Sequence, residues 1–390
     1  MYTYNYVTLA FCSSWQQKSD SAGFEKGRVI YMKKIKQRWR WRYVTIGLCI
    51  ITTAFLCVAC SSKTKSKEVT SESITPESKE EKDLKELRLA LTSENNDLTG
   101  ILLIANQQNY IQEELEAVGY KLEVYGFAQA GPAINEAFAG KSIDIAIYGN
   151  LPPLVLKSNG IDVSVVALTD SELDQCIIVP KDSTIQTVKD LKGKTVISGK
   201  GTILDEYFKK VLQANDLKIE DINVINDVAT AAATFTSKNA DALVISHTQA
   251  LLIDKQFPIR FIESTTDSHK ELVGQLVLVA RNEFLQDHPE VMTAFLKAYI
   301  RGYQYAISNE EEAFDAFVND KVSRELVEKV YGSKEKVFSN LSGEITQKDI
   351  NRLQEVNTFL LENGLISKTV DLKEFVNDSF YKEALQEVSK

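Results

Sequence analysis

The sequence IDIAIYGNLPP, at residues 143–153, places a short apolar run directly before a turn that contains a glycine and two prolines. Ile143–Ile147 has the length and the β-branched content of a buried strand. Short apolar runs of this kind alternate with helix-periodic segments through much of the chain. This alternation predicts βαβ units on parallel sheets and therefore an α/β fold.

Two series of strands extend outward from this stretch. The first series is predicted at Leu87–Leu91, Lys121–Tyr125, Ile143–Ile147 and Val163–Leu168. The second is predicted at Thr195–Ile197, Ile222–Ile225, Ala242–Ile245 and Arg260–Ile262. Apolar residues between Ile101 and Val118 recur with helical spacing and predict one helix, and the chain from Asn282 onward reads as almost entirely helical.

The segment 86–390 is longer than one hydrophobic core normally supports, so two lobes are expected. Lobe 1 is predicted at residues 86–175 and 275–390, and lobe 2 at residues 176–274. The apolar segments Gln175–Val179 and Gln275–Ala280 stand between the two series of strands. We expect them to be two crossing strands that act as a hinge for closure of the lobes.

The segment before residue 60 has the layout of a secretory signal peptide. Basic residues from Lys33 to Arg42 precede an apolar run from Val44 to Ala59, which is followed by Cys60. The run has 16 residues, fewer than the roughly 20 that a spanning helix needs. The pattern resembles a bacterial lipoprotein leader at residues 32–59, which implies lipidation of Cys60. Residues 1–31 fit no part of this leader, and we interpret them as mis-translated upstream sequence, with a poorly structured extension as the alternative.

The composition after the leader is acidic. Nine basic and two acidic residues precede Cys60, which leaves 36 basic and 52 acidic residues and a net charge of −16 from Cys60 on. No basic stripe is present to neutralise phosphates, so a nucleic-acid partner is not expected. Residues 60–85, which are rich in serine, lysine and glutamate, predict a flexible tether behind the lipidated cysteine. The protein is therefore expected at the extracytoplasmic face of the cell membrane.

Polar loops follow the predicted strands in both halves of the chain. Ligands of open parallel sheets bind at the carboxyl ends of strands, where glycine admits close approach and a helix N-terminus attracts anions. The loops therefore predict an anion site between two lobes. The candidate ligand-binding residues are Thr92, Ser93, Ala130, Gly131, Gly149, Asn150, Leu151, Lys200, Gly201, Thr202, Ser246 and His247. The alternative is that each of these loops is an ordinary turn or helix cap and binds no ligand.

The motifs resemble a known family in their order and spacing. The segments FAQAGP (127–132), YGNLPP (148–153), IVPKDS (178–183), DLKGK (190–194) and SGKGT (198–202) look like solute-binding proteins of ABC importers for aliphatic sulfonates, taurine and nitrate. The match runs from about Leu87 to Ala306. The resemblance implies a two-lobed, periplasmic-binding-protein-like clamp of type II. It also implies a small anionic solute as ligand, a permease and an ATPase as partners, and no cofactor.

The chain departs from this family at four positions. Ser246 and His247 stand where a tryptophan and an acidic residue are frequent, Ile203 replaces a hydroxyl residue, and Asn150 replaces an acidic residue. These changes leave the ligand open between a sulfonate, taurine, nitrate and a pyrimidine vitamin precursor. A role of His247 as ligand contact or as pocket wall also stays open.

Other classes of function find less support. The segment around SGKGT lacks the spacing and the hydroxyl residue of a nucleotide-binding P-loop. His247, His269 and His288 share no metal-ligand spacing, so no metal site is predicted. A lyase-type enzyme on the same fold is the competing class, but a lipoprotein leader is not expected of it. We therefore expect a binding protein and no catalytic residue.

The leader predicts the chemistry of the mature N-terminus. Cys60→Ala should leave the protein with its leader or release it from the membrane, because the lipid attachment point is lost. Intact-mass measurement of the membrane-associated protein should show a diacylated Cys60 as its first residue. A mature protein that begins at an unmodified residue 1 or 32 would contradict the lipoprotein assignment.

Overall fold

The structure is a computed structural model, and it describes residues 83–93, 95–332 and 337–390. The predicted leader, Cys60 and the tether up to residue 82 lie outside these described residues. Residues from Glu80 to Lys390 form one compact unit. Both sheets and the four apolar clusters of the described residues belong to it.

Two five-stranded sheets organise the molecule. The first has the order β2-β1-β3-β10-β4 and the second β7-β6-β8-β5-β9. The strands are β1 Lys85–Leu91, β2 Tyr120–Gly126, β3 Ile145–Gly149, β4 Val163–Leu173, β5 Gln175–Pro180, β6 Thr195–Ser198, β7 Asn223–Asn226, β8 Ala242–Ser246, β9 Ile259–Ser264 and β10 Gly274–Arg281.

Helices flank both sheets and make up most of the chain after β10. They are α1 Gly100–Gln107, α2 Tyr110–Ala117, α3 Ala130–Ala139, α4 Leu151–Ser158, α5 Ile203–Ala214, α6 Ala231–Thr236, α7 His247–Asp254, α8 Asn282–Asp287, α9 Pro289–Ser308, α10 Glu310–Ala316, α11 Arg324–Tyr331, α12 Gln347–Glu362, α13 Leu372–Phe375 and α14 Ser379–Val388. In the part of the chain that the structure describes, none of these helices is long and apolar enough to cross a membrane.

The predicted α/β architecture of two sheets flanked by helices is confirmed. Below, lobe 1 means the first sheet with the helices packed on it, and lobe 2 means the second sheet with its helices. Each sheet is buried on both faces, since neighbouring residues of one strand, such as Leu89 and Ala90, belong to different apolar clusters. The residue boundaries of the lobes stay a prediction.

Two expectations from the sequence were wrong in detail. The single helix expected between Ile101 and Val118 is two helices, because Asn109 adopts a left-handed conformation with φ of 67° between α1 and α2. Asparagine tolerates this conformation better than most residues, so the apolar spacing continues across a break in the helix. The predicted third strand is displaced as well, since β3 begins at Ile145 and ends at Gly149.

The two crossing segments are interior strands of the sheets. Strand β5 lies between β8 and β9 and is antiparallel to both, and β10 lies between β3 and β4 and is likewise antiparallel to both. The chain passes between the sheets at Asp174 and again over residues 265–273. Each sheet is therefore mixed, and each crossing leads directly into a buried interior strand.

Asp144 connects several strands of lobe 1 at the edge that lies far from lobe 2. Its carboxylate accepts hydrogen bonds from Arg88 Nη2 at 2.7 Å and from Arg281 Nη2 at 2.6 Å, which links β1, β3 and β10. Burial acts to raise the pKa of Asp144, but these hydrogen bonds outweigh it and hold the pKa below the ordinary value of 3.8. The ionised carboxylate is thus part of the folded structure.

Asp144→Asn should lower the free energy of unfolding at pH 7 by about 2–4 kcal/mol, because two partly buried guanidinium groups lose their partner. Because the folded pKa is depressed, this contribution is fully present above pH 3.8 and is lost as the pH falls through the lower, folded pKa. Urea unfolding of both proteins between pH 7 and pH 3 measures the difference. Glu283→Gln, at an exposed partner of Arg281, is the control and should cost less than about 1 kcal/mol. A difference that stays constant down to pH 3 would contradict this role of Asp144.

Candidate functional site

A cleft of 1340 Å³ lies where the two lobes face each other. Leu91 and Ile147 near the ends of β1 and β3 line it from lobe 1, and Ser246 at the end of β8 lines it from lobe 2. Both crossing segments, including Asp174 and Lys270, form another part of its wall. The cleft therefore touches the carboxyl ends of strands in both sheets, which is where ligands of this type of fold bind.

Helix α7 presents its N-terminus to the cleft. Ser246 caps the helix, and its Oγ accepts a hydrogen bond from Gln249 N at 3.4 Å. Ser246, His247, Thr248 and Gln249 all line the cleft, and no acidic residue occupies the first turn. The partial positive charge of this helix end is therefore available to an anion, and the hydroxyl proton of Ser246 can be donated to it. Of the predicted residues, the structure places Ser246 and His247 in the cleft wall.

His247 and Phe261 form an aromatic wall beside this helix end. Their ring centroids lie 5.0 Å apart at an interplanar angle of 34°, and both residues line the cleft. The backbone N–H of His247 donates to the carbonyl oxygen of Asp174, which fixes α7 to the crossing between β4 and β5. The site thus offers an apolar surface next to its anion-binding end, as an organic anion with a hydrocarbon part requires.

The N-terminus of α5 is occupied in a different way. Gly201 N donates to Asp205 Oδ2 at 3.1 Å, so a carboxylate of the same helix fills this position. The hydroxyl of Thr202 donates to the carbonyl of Gly199 at 2.6 Å and accepts from Leu204 N at 3.2 Å. The main-chain N–H of Lys200 donates to Asn226 Oδ1. In this arrangement, the predicted residues Lys200, Gly201 and Thr202 make hydrogen bonds to neighbouring groups of lobe 2.

Ile203 brings this end of α5 into contact with lobe 1. A Cβ added at Gly149 would lie 2.7 Å from Ile203 Cγ2, and one at Gly274 would lie 2.8 Å from Ile203 Cδ1. Ile203 is buried within an apolar cluster that otherwise belongs to lobe 1. Gly201 comes near the same lobe, since its Cβ would lie 3.8 Å from Pro132. The lobes therefore touch at Gly149, and glycine is required there because a side chain would collide with Ile203.

Three further predicted residues are packed in the interior of lobe 1. Asn150 is fully buried, and its Nδ2 donates to Gln275 Oε1 at 2.9 Å. Gln275 Nε2 in turn donates to Asp349 Oδ1 at 2.9 Å, so this amide chain connects β3, β10 and α12. Leu151 is fully buried in the core, and Gly131 lies against Pro152, where a Cβ would come within 2.2 Å.

The remaining predicted residues follow β1 and β2. Thr92 is exposed directly after β1, where the neighbouring Leu91 lines the cleft. Ser93 Oγ donates to the carbonyl of Asn95. Ala130 begins α3 with a left-handed φ of 54° and is half-buried. Thr92, Ser93 and Ala130 stay predictions as ligand contacts, as do the other residues of the set.

The sequence motifs did not reveal the cations of the cleft. Four basic residues line it: Lys270 on the return crossing, Lys329 on α11, and Lys348 and Arg352 on α12. Lys270 forms no ion pair with an acidic residue among the described parts of the chain, whereas Arg352 pairs with Glu206. The candidate residues were chosen from loops that follow predicted strands. Lys270 and Arg352 do not lie in such loops, so this criterion could not identify them. Lys270 lies four residues before Gly274, where β10 begins. Its proximity to the predicted crossing segment was the one feature of the sequence that indicated a place near the cleft.

The chain is similar to known proteins over most of its length. The family model described as NMT1/THI5 like matches residues 95–313, more than half of the chain. A Bacillus subtilis protein named for binding aliphatic sulfonates is 27% identical over 311 residues, which cover 79% of this chain and 90% of that protein. A Haemophilus influenzae protein named for thiamine biosynthesis is 23% identical over 279 residues, covering 70% of this chain and 86% of that protein.

A solved structure agrees with these similarities. The structure of a periplasmic sulfonate-binding protein from Methylobacillus flagellatus has a TM-score of 0.63 and 26% identity to this chain. The alignment covers 79% of this chain and 96% of that protein. The resemblance that the loop motifs indicated thus extends over most of the chain.

Gly149→Ala tests the contact between the lobes. The added Cβ should collide with the stiff, β-branched Ile203 and push α5 away from lobe 1. Small-angle scattering of residues 83–390 should then give a larger radius of gyration than for the wild type. Gly140→Ala is the matched control, since its Cβ would meet its nearest neighbour at an ordinary 3.4 Å. A Gly149→Ala variant with an unchanged radius would show that Ile203 yields and that this packing is loose.

Proposed function

Because this chain belongs to the NMT1/THI5-like family, we propose that it is the solute-binding subunit of an ABC importer that captures a small organic anion between its two lobes. An aliphatic sulfonate is the proposed ligand. The observation that carries the proposal is the cleft between two sheets, with the N-terminus of α7 and the aromatic pair His247–Phe261 in its wall. The similarity to the Bacillus subtilis protein over 90% of its length supports the same class of ligand.

The chemistry of a sulfonate fits these features. Its head carries one negative charge on three oxygens, and each oxygen accepts hydrogen bonds from hydroxyl and main-chain donors. The Ser246 hydroxyl and the ammonium of Lys270 supply hydrogen-bond donors in the cleft wall, and the N-terminal end of α7 and Lys270 supply positive charge. The hydrocarbon part of the ligand lies against Phe261 and His247, where it loses contact with water. Thr92, Ser93, Lys200, Gly201 and Thr202 are proposed to reach the ligand from the other strand ends when the lobes move.

The delivery of the solute follows from the class of protein. The proposed partners are a membrane permease and a cytosolic ATPase, to which the loaded lobes present the ligand. Attachment to the extracytoplasmic face of the membrane is proposed through a diacylated Cys60, which lies outside the described residues. A flexible tether of roughly 25 residues would reach about 25–30 Å, enough for the lobes to find the permease.

An enzyme of the lyase type on the same fold is the alternative from another class. Cys176 is buried in β5, and burial raises the pKa of its thiol, so the reactive thiolate is disfavoured. Within the transporter class, taurine, nitrate and a pyrimidine vitamin precursor are the alternative ligands. Taurine and nitrate share the anionic head, whereas a pyrimidine would use the aromatic wall of the cleft without the helix end.

Ser246→Ala tests the proposed head-group site. Loss of a hydrogen bond to a charged group costs about 1.5–3 kcal/mol, so binding of an alkanesulfonate should weaken roughly tenfold or more. Calorimetric titration is the suitable measurement, because all three tryptophans precede Cys60 and none can report on the cleft. Ser323→Ala is a closely matched control. Ser323 caps α11 with the same 3.4 Å acceptor geometry, but it does not line the cleft.

Two results would contradict the proposal. Equal affinity of wild type and Ser246→Ala for the alkanesulfonate would place the head group elsewhere in the cleft. A wild-type protein that binds a neutral aminopyrimidine but none of the sulfonates, taurine or nitrate would overturn the class of ligand.

A further inference from the structure

Helix α5 carries a second contact to lobe 1, one turn after Ile203. The carboxylate of Glu206 is fully buried, and its Oε1 lies 3.0 Å from Nη1 of Arg352 on α12. Helix α12 belongs to lobe 1, since its Leu353 and Val356 lie in an apolar cluster of that lobe. The Glu206–Arg352 ion pair therefore joins the two lobes. Positions 203 and 206 are neighbours on one face of a helix, so both contacts form together.

Each of the two charged groups also has partners that do not belong to the opposite lobe. Lys210, on the same helix as Glu206, places its Nζ 2.7 Å from the same Oε1. Arg352 lies 3.4 Å from Glu355 on its own helix, and its Nε donates to the carbonyl of Val273. These additional partners restrict both side chains, which lowers the entropy that the contact between the lobes costs.

We infer that Glu206 and Arg352 are positioning residues that shift the equilibrium between separated and docked lobes, and that they thereby set the affinity for the ligand without contacting it. Ile203 packs α5 against Gly149 and Gly274, and the Glu206–Arg352 ion pair keeps α5 in this position. The apparent dissociation constant of a clamp equals the intrinsic constant divided by the fraction of molecules in the competent arrangement. A contact outside the head-group site can therefore govern affinity.

The effect on affinity rests on the proposed function, whereas the effect on the lobes does not. Glu206→Gln and Arg352→Gln should each enlarge the radius of gyration of residues 83–390 in the absence of any ligand. Lys210→Gln and Glu355→Gln are matched controls, because each removes a partner of the same charged group within one lobe. Both controls should keep the wild-type radius. Ile203→Ala, which leaves no buried charge unpaired, should also enlarge the radius and serves if a charge variant does not fold.

The second arm of the experiment titrates each protein with an alkanesulfonate. Glu206→Gln and Arg352→Gln should bind about tenfold more weakly, and a saturating amount of the sulfonate should restore the wild-type radius. Unchanged radii in both variants and in Ile203→Ala would overturn the inference. Weaker binding in Arg352→Gln alone, with an unchanged radius, would also overturn it and would make Arg352 a ligand contact. If the wild type binds no alkanesulfonate, the proposed function fails, and the radii still decide whether these residues dock the lobes.

Discussion

Hydrogen bonding of β10 between β3 and β4 is the constraint on which the rest of the structure depends. The strand follows all of lobe 2 in the chain, yet it occupies an interior position of the first sheet. Lobe 1 is therefore complete only after the chain has built lobe 2 and returned. The return of the chain places Gly274 and Gln275 at the junction of the lobes. Gly274 packs against Ile203, and Gln275 links Asn150 to Asp349 by hydrogen bonds. Strand pairing in one lobe thus determines where the other lobe makes contact.

Two helix ends of lobe 2 face the junction and differ in chemistry. The N-terminus of α5 is filled by its own Asp205 and is held against lobe 1 by Ile203 and Glu206. The N-terminus of α7 has no acidic residue in its first turn and opens into the cleft through Ser246. A division of labour follows from these contacts. Under the proposed function, α5 holds the lobes together, and α7 offers its positive helix end to the sulfonate.

The sequence predicted the architecture well because strand-helix alternation and apolar runs are local signals. The runs at Leu87–Leu91 and Ala242–Ile245 are strands, and Ser246 and His247, which follow the second run, lie in the cleft wall. The expected position of β3 was two residues too early, since apolar character alone does not fix the register of a strand. The break at Asn109 was missed because the apolar spacing runs through it.

The long-range contacts could not be predicted in the same way. Arg352 on α12 meets Glu206 across 146 positions of the chain, and no local pattern marks that pairing. Ile203 was noted as a departure from a hydroxyl residue, but its packing between Gly149 and Gly274 depends on how the lobes come together. Asn150 was expected at the ligand because it follows a strand. Its burial results from the partner that β10 provides, which only the assembled sheet reveals.

The central claim is that the cleft between the lobes holds an organic anion of the sulfonate class. Mass spectrometry of the small molecules released by denaturing the freshly purified protein tests it most directly, because the protein itself selects the compound. The account predicts an organic sulfonate in a stoichiometric amount, and a smaller amount of it from a Ser246→Ala preparation made in parallel. Release of a neutral pyrimidine in place of a sulfonate, or of the same sulfonate in equal amount from both preparations, would contradict it.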